Sequence, residues 1–205
     1  MSHHSLLNDL EQGLLALGLD TTCAAKMLEY LRLLEHWNQA YNLTAVRDMQ
    51  AMVSRHLLDS LAILPWVKGP RVLDVGSGAG FPGLPIALMR PDLFVVLLDS
   101  NGKKTRFLNE VKRALSLTTV EVVQGRVEHY QPSEGFDTIC SRALSELSQM
   151  MAWTERLLRP QGRCLAMKGQ YPEEELSALH FPYRVETYTV PGLEGQRSCV
   201  IVEKG

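Results

Sequence analysis

The sequence predicts an α/β domain with a doubly wound, mostly parallel sheet, preceded by a helical extension. Three observations carry this. Strand-length apolar runs alternate with helical patterns from residue 71 onward, a glycine cluster follows the first run, and no helix separates the last two runs. Strands alternating with helices join by right-handed crossovers into a parallel sheet covered on both faces. Two strands without a crossover form a hairpin, so a seven-stranded sheet ending in an antiparallel pair is expected.

The elements follow in order. Residues 5–64 read as helical. Leu28, Leu31, Leu34, Trp37 and Tyr41 recur at three- and four-residue steps, as do Val53, His56, Leu57, Ser60, Leu61 and Leu64, and each set makes an apolar stripe. Pro65 and Lys68-Gly69-Pro70 close this region. The predicted division is a helical extension over 1–66 and a Rossmann-like domain over 67–205, packed as one unit. Buried strands are expected at 71–75, 94–99, 120–124, 136–141 and 163–168, with helices near 82–90, 102–116, 145–158 and 173–179. Strands at 183–190 and 198–204 make the hairpin.

Composition narrows the class. The chain has 205 residues, 45% hydrophobic and 21% charged, which fits a soluble globular protein and excludes a disordered or collagen-like one. No apolar run approaches the roughly 18 residues of a membrane span. The start, MSHHSLLNDLEQ, lacks the apolar core and cleavage site of a signal peptide, so a cytoplasmic protein is expected. Cys23, Cys140, Cys164 and Cys199 form no CxxC pair and the histidines are scattered; neither a metal site nor a disulfide framework is expected.

The strongest local signal is Leu73-Asp74-Val75-Gly76-Ser77-Gly78-Ala79-Gly80-Phe81-Pro82-Gly83, between a strand and a helix. Gly78, Gly80 and Gly83 fit the dinucleotide pattern G-x-G-x-x-G. Asp74, Gly76, Gly78 and Gly80 fit D-x-G-x-G-x-G, the S-adenosylmethionine (AdoMet) motif. A carboxylate just before the first glycine would repel a pyrophosphate seated on the helix N-terminus but suits a cationic ligand, which favours AdoMet. Asp99 ends the second strand, where an acid can bind a ribose diol; both ligands carry one. Gly125-Arg126-Val127-Glu128 follows the third strand, at the sheet edge where doubly wound folds bind ligands. There a Val127 backbone N–H and the Glu128 carboxylate can read an adenine edge.

These residues lie among segments that resemble the RsmG (GidB) family of small-subunit ribosomal RNA guanine-N7 methyltransferases. The resemblance covers nearly the whole chain. It rests on Trp37-Asn38, Tyr41-Asn42-Leu43-Thr44, Arg47-Asp48, Arg55-His56 and Leu58-Asp59-Ser60 in the helical region. It continues through the glycine loop, Leu98-Asp99-Ser100, Lys103, Arg106-Phe107-Leu108, Arg126-Val127-Glu128, Ser141-Arg142-Ala143 and Lys168-Gly169-Gln170. It implies a class I AdoMet-dependent methyltransferase fold and methylation of guanine nitrogen 7 in 16S rRNA, guanine 527 being the family position. It also implies 16S rRNA or the small ribosomal subunit as partner; a monomer is expected. Carried over residue by residue, the cofactor site is Gly76 and Phe81 in the loop, Val127 and Glu128 at adenine, and Arg142 at the mouth. Asp74, Gly78, Gly80 and Asp99 join it on the readings above.

The chemistry agrees. Methylating a pyrimidine carbon needs a cysteine nucleophile, and Cys140 lies inside an apolar strand. Methylating an exocyclic amine usually uses a D/N-P-P-Y loop after the fourth strand, where this chain has Ile139-Cys140-Ser141-Arg142-Ala143. Guanine nitrogen 7 has an exposed lone pair and no proton to remove, so alignment and water exclusion suffice and no general base is expected. Arg142 is the candidate catalytic residue, positioning the base through O6 or a phosphate. Lys168 on the same edge, with Arg126, Lys103 and Arg106, are candidate RNA contacts. His56 reads as a hydrogen-bonded core residue, Arg55 and Asp59 as a one-turn pair, Asn42 and Thr44 as turn and cap residues, and Trp37 and Tyr41 as packing. A methyltransferase for a protein or small molecule, and a non-catalytic ribosome-binding module, stay open as alternatives.

The net charge of −2 hides an uneven distribution: residues 101–171 carry eleven basic and seven acidic residues. A focused RNA contact is expected. About three to five phosphates would give a log–log salt slope of roughly −2 to −4.

Overall fold

The computed structural model describes residues 3–142 and 145–204; Ala143, the last residue of the Ser141-Arg142-Ala143 segment, lies outside them. The strands are β1 (Arg71–Val75), β2 (Phe94–Asp99), β3 (Val120–Gln124), β4 (Phe136–Arg142), β5 (Leu158–Lys168), β6 (Tyr183–Tyr188) and β7 (Arg197–Glu203). They form one sheet in the order β3-β2-β1-β4-β5-β7-β6. The first five are parallel neighbours, and β7 runs antiparallel to both β5 and β6. The hairpin therefore does not simply extend the edge. Its second strand slots between β5 and its first, which brings the start of β7 to the same sheet edge as the ends of β1, β4 and β5.

Period-two alternation divides the sheet between two cores. Val72, Val95, Leu97, Cys140, Leu165, Cys199 and Ile201 pack into one; Leu73, Val75, Val96, Leu98, Ile139, Cys164, Val200 and Val202 pack into the other. Such strands are buried on both faces, so they read as nearly continuous apolar runs. The second core is closed by α7 (Leu147–Thr154) and α8 (Glu173–Ser177).

The first core takes in α5 (Gly83–Met89), α6 (Gly102–Ala114) and the whole helical extension. The extension comprises α1 (His3–Ala16), α2 (Ala24–Tyr41), α3 (Met49–Met52) and α4 (Asp59–Leu61). Leu10, Leu14, Tyr30, Leu34 and Leu57 share one buried cluster with Ile86 and Phe107. Between α3 and α4 the backbone widens into a π-helix over Val53–Leu58, a local feature that often marks a functional site. Among the described residues no helix is long and apolar enough to cross a membrane.

Candidate active site at the carboxyl edge of the sheet

The glycine loop turns tightly out of β1. Gly76, Gly78 and Gly80 all have positive φ, that of Gly80 being 103°. A Cβ on Gly80 would lie 2.4 Å from Leu84 Cδ1, and one on Gly83 would lie 2.7 Å from Asp74 Oδ2. Neither position accepts a side chain, because the loop is pressed against α5, α2 and β1. Backbone bonds from Gly76 and Ser77 N–H to the Leu98 carbonyl tie the loop to β2.

Two carboxylates pin the turn from opposite sides. Asp74 accepts from the Gly83 N–H at 2.9 Å, and Asp99 accepts from the Gly78 N–H at 2.8 Å. Their settings differ. Asp99 borders an open cavity of about 370 Å³, within the size range of small-ligand sites. Its other oxygen accepts from the Asn101 N–H, so each oxygen has spare acceptor capacity. Asp74 is fully buried, and its Oδ1 has no hydrogen-bond partner. The expectation that Asp74 meets the cationic end of a ligand is corrected here: its carboxylate turns inward and holds the loop.

The cavity brings together Gly76, Asp99, Val127 and Glu128, expected at the cofactor, and Arg126, expected at RNA, between the apolar flanks of Val75 and Leu98. The 125–128 loop is fixed by Arg156, whose Nη2 donates to the carbonyls of Val127 and Glu128. Lys104 and Trp153 also line it, and Trp153 was not anticipated. A mainly polar cavity with apolar flanks, an aromatic ring and a two-oxygen acid fits a nucleoside with a ribose diol. Gly78 and Gly80 shape the loop without lining the cavity. Lys103 and Arg106 are exposed on α6, and the cavity is bordered by Lys104 instead.

Arg142 and Phe81 lie apart from this cavity, which departs from their assignment to the cofactor. Phe81 is buried, its ring 4.5 Å from that of His56 and 5.1 Å from the Arg142 guanidinium. Arg142 Nη1 donates to the Arg55 carbonyl at 2.9 Å, and its guanidinium is 3.7 Å from Asp59. The π-helix exposes that carbonyl to the arginine: the Asp59 N–H is shared by the Ser54 and His56 carbonyls. The expected Arg55–Asp59 pair is thus replaced by an Arg142–Asp59 pair. The π geometry shifts the one-turn neighbours, and Arg142 arrives from the sheet.

His56 links this arginine to the extension. Its Nδ1 faces Arg142 Nη2 at 3.4 Å, and its Nε2 lies 2.8 Å from Thr44 Oγ1. Burial, then the Arg142 charge, hold its pKa down at about 4, so the ring is neutral at physiological pH. The arginine can only donate, which assigns Nδ1 as acceptor and leaves the Nε2 proton for Thr44. The backbone of Thr44 is in turn held by both ends of the Asn38 amide. Segments far apart in sequence thereby form one chain of contacts, Asn38–Thr44–His56–Arg142–Asp59. His56 is a hydrogen-bonded core residue, as expected, and Asn42 caps α2 in the left-handed conformation. Trp37 packs on Phe107, whereas Tyr41 is 42% exposed and is no core residue.

Two further candidates are decided by their surroundings. Cys140 is fully buried, and burial pushes its thiol well above the usual range, so it offers no thiolate. Lys168 reaches the same edge but is held by both oxygens of Glu175, at 2.9 and 2.7 Å. Its charge is already matched, which weakens it as a phosphate contact.

Burial raises the Asp74 carboxyl to about 7, against the opposing pull of the Gly83 N–H. A carboxyl raised in the folded state gives stability that is complete below its unfolded pKa and is lost as pH rises through the folded one. Wild type should therefore lose stability relative to Asp74→Asn between about pH 4 and 7, by up to about 1.4 kcal/mol per pH unit, and level off above. Urea unfolding across that range checks this through the slope, which is independent of any constant offset from the asparagine amide. A flat difference would show that the acid is ionised throughout.

Comparison with known proteins places these features. A family profile described as "GidB: rRNA small subunit methyltransferase G" matches residues 23–200. A ribosomal RNA small subunit methyltransferase G of Legionella pneumophila (strain Corby) is 56% identical over 193 residues, covering 94% of this chain and 92% of the relative. One of Pseudomonas aeruginosa (strain LESB58), with the same name, is 50% identical over 208 residues, covering 98% and 96%. Among solved structures, a methyltransferase from Pyrococcus furiosus superposes with a TM-score of 0.63 at 14% identity, covering 88% of this chain and 97% of that one. A SAM-dependent methyltransferase from Aquifex aeolicus gives 0.58 at 21% identity, covering 79% and 96%. The fold is that of class I AdoMet-dependent methyltransferases.

Proposed function

The chain belongs to the rRNA small subunit methyltransferase G family, and from that premise we propose that it transfers a methyl group from AdoMet to nitrogen 7 of a guanine in 16S rRNA. The observation that carries the reading is the pairing of two neighbouring features at one sheet edge. One is a nucleoside-sized cavity bordered by Asp99 and Glu128; the other is Arg142, beside which the described residues include no free base or thiolate. We place the reaction in the cytoplasm and take the active species to be a monomer, since one chain supplies both features.

Bound AdoMet supplies an electrophilic methyl group on a sulfonium. The residues of this chain hold and orient. Asp99 accepts from a ribose diol, Val127 and Glu128 read an adenine edge, and Gly76 lets the backbone approach closely. Trp153 and Leu98 give apolar walls that exclude water. Arg142 positions the base, donating to a purine O6 or to a phosphate while leaving nitrogen 7 free. That nitrogen attacks with its own lone pair, so no residue has to take a proton. The contribution of the protein is alignment, which suits a site whose arginine is locked by four neighbouring groups.

Purified protein, labelled AdoMet and 16S rRNA or small subunits from cells lacking the activity test the reading. The expected product is 7-methylguanosine, mapped to guanine 527. Label on another base, on an exocyclic amine or on protein would overturn it.

A further inference from the structure

A second cavity, of about 340 Å³, opens beside Arg142 and shares no lining residue with the first. We propose that it is an anion pocket that seats a backbone phosphate of the RNA strand next to the methylated base, with Arg55 and Arg197 as its principal ligands. This rests on the reading of the chain as an rRNA methyltransferase and adds to it a place where the strand is gripped.

The lining holds four cations, Arg55, Arg142, Lys168 and Arg197, with Asp59 as the one acid and Tyr188 beside it. Two of the cations are already neutralised: Lys168 by Glu175 and Arg142 by Asp59. Among the described residues Arg55 and Arg197 form no salt bridge and no side-chain hydrogen bond. Arg55 is exposed and Arg197 half-buried. Asp59 is the one acid for three arginines, and the charge of Arg197 as well as that of Arg142 bears on it, so the lining stays net positive and its repulsion is relieved by an anionic ligand. Guanidinium groups are the side chains best shaped for phosphate, because their planar N–H pairs grip two oxygens at once.

The fold delivers these residues together. Arg55 sits in the π-helix, whose backbone is clasped by Arg142. Arg197 begins β7, and the register sets it opposite Tyr188, one residue from the Lys168↔Ser198 pair that ends β5. Only a strand running antiparallel could start at the edge where β4 and β5 end. The hairpin thus carries a cation to the reaction edge from the far end of the chain. Arg142 belongs to this cavity as well, so a phosphate held there lies next to the group that positions the base.

Filter binding of 16S rRNA, taken from cells lacking the methylation, across a KCl series tests the pocket in the full-length protein. Wild type should show the salt slope of about −2 to −4. Arg55→Gln/Arg197→Gln should reduce its magnitude by about 0.7 to 0.9, the share of the one phosphate contact that is lost. Lys112→Gln/Arg113→Gln, on the outer face of α6, should leave the slope unchanged. Unaltered AdoMet affinity by calorimetry certifies folding, and Arg55→Lys/Arg197→Lys, which keeps both charges, should retain most of the slope. A double glutamine variant with the wild-type slope and affinity overturns the pocket while rRNA methylation stands. Wild type that neither binds nor methylates rRNA overturns the functional reading, and the pocket with it. Tight binding of inorganic phosphate at Arg55 and Arg197 with an unchanged RNA slope makes the site one for a small free anion and overturns the RNA assignment.

Discussion

Arg142→Ala is expected to lower the rate of methyl transfer by about a hundredfold or more and to leave AdoMet affinity within about threefold. Arg142 lines the second cavity and not the one bordered by Asp99, so its loss should fall on kcat and not on cofactor binding. Removing one preorganised donor from a water-excluded site commonly costs two to three powers of ten, and a small misplacement of reacting atoms costs about as much. The substitution has a second effect that must be separated from the first. Asp59 is buried, and burial already raises its carboxyl above the usual range, with Arg142 the largest opposing influence. Without the guanidinium that acid rises further, and stability is lost as pH climbs through its folded value. Arg142→Ala should therefore be less stable than wild type by up to about 3 kcal/mol near pH 8 and by less near pH 5. Asp59→Asn in the same chain should restore the Tm and not the rate. If the double variant regains activity, Arg142 merely neutralises Asp59, and its role in positioning the base is wrong.

The fold was legible because its signals are local. The central parallel strands are buried on both faces and so appear as short apolar runs, and β1, β2 and the edge strand β3 coincide with the runs read from sequence. β5 begins earlier than its run, at Leu158, which pairs with Phe136; the register then shifts across the irregular stretch through Pro160 and Gly162 before Arg163 pairs with Thr138. The hairpin was visible, but the insertion of β7 between β5 and β6 was not, and that insertion brings Arg197 to the active edge. The same division runs through the site. Gly76, Asp99, Val127 and Glu128 lie at strand ends, where topology alone assigns an edge. Asp74 also lies in a strand, but which way its carboxylate turns depends on how closely Gly83 packs over it. The contacts of His56 and Asp59 with Arg142 join elements separated by dozens of residues, and no spacing rule reaches that far. Trp153 is one turn of α7 among apolar neighbours, so nothing local separates it from the core.

Asp99→Ala should weaken AdoMet binding by at least about a hundredfold. The acid has two duties, and alanine ends both. Toward the cavity it offers an acceptor on each oxygen, suited to two adjacent hydroxyls; hydrogen bonds to a charged group are worth about 1.5–3 kcal/mol each, and each 1.4 kcal/mol is tenfold in affinity. Toward the protein it accepts from the N–H groups of Gly78 and Asn101, which holds the glycine loop against the start of α6. Asp99→Asn separates the duties. An asparagine keeps one acceptor oxygen, able to serve one N–H and one hydroxyl, and turns an amide NH2 toward the other N–H and hydroxyl. It should therefore bind AdoMet more tightly than the alanine variant and less tightly than wild type. Calorimetric titration with S-adenosylhomocysteine, which lacks the sulfonium charge, adds a decisive comparison. If Asp99 acts through hydrogen bonds to a diol, alanine weakens both ligands by the same factor. If it acts by its charge, the cationic ligand suffers more. Equal binding by wild type and Asp99→Ala would remove the ribose from this cavity altogether, and with it the role of Asp99 in holding the cofactor.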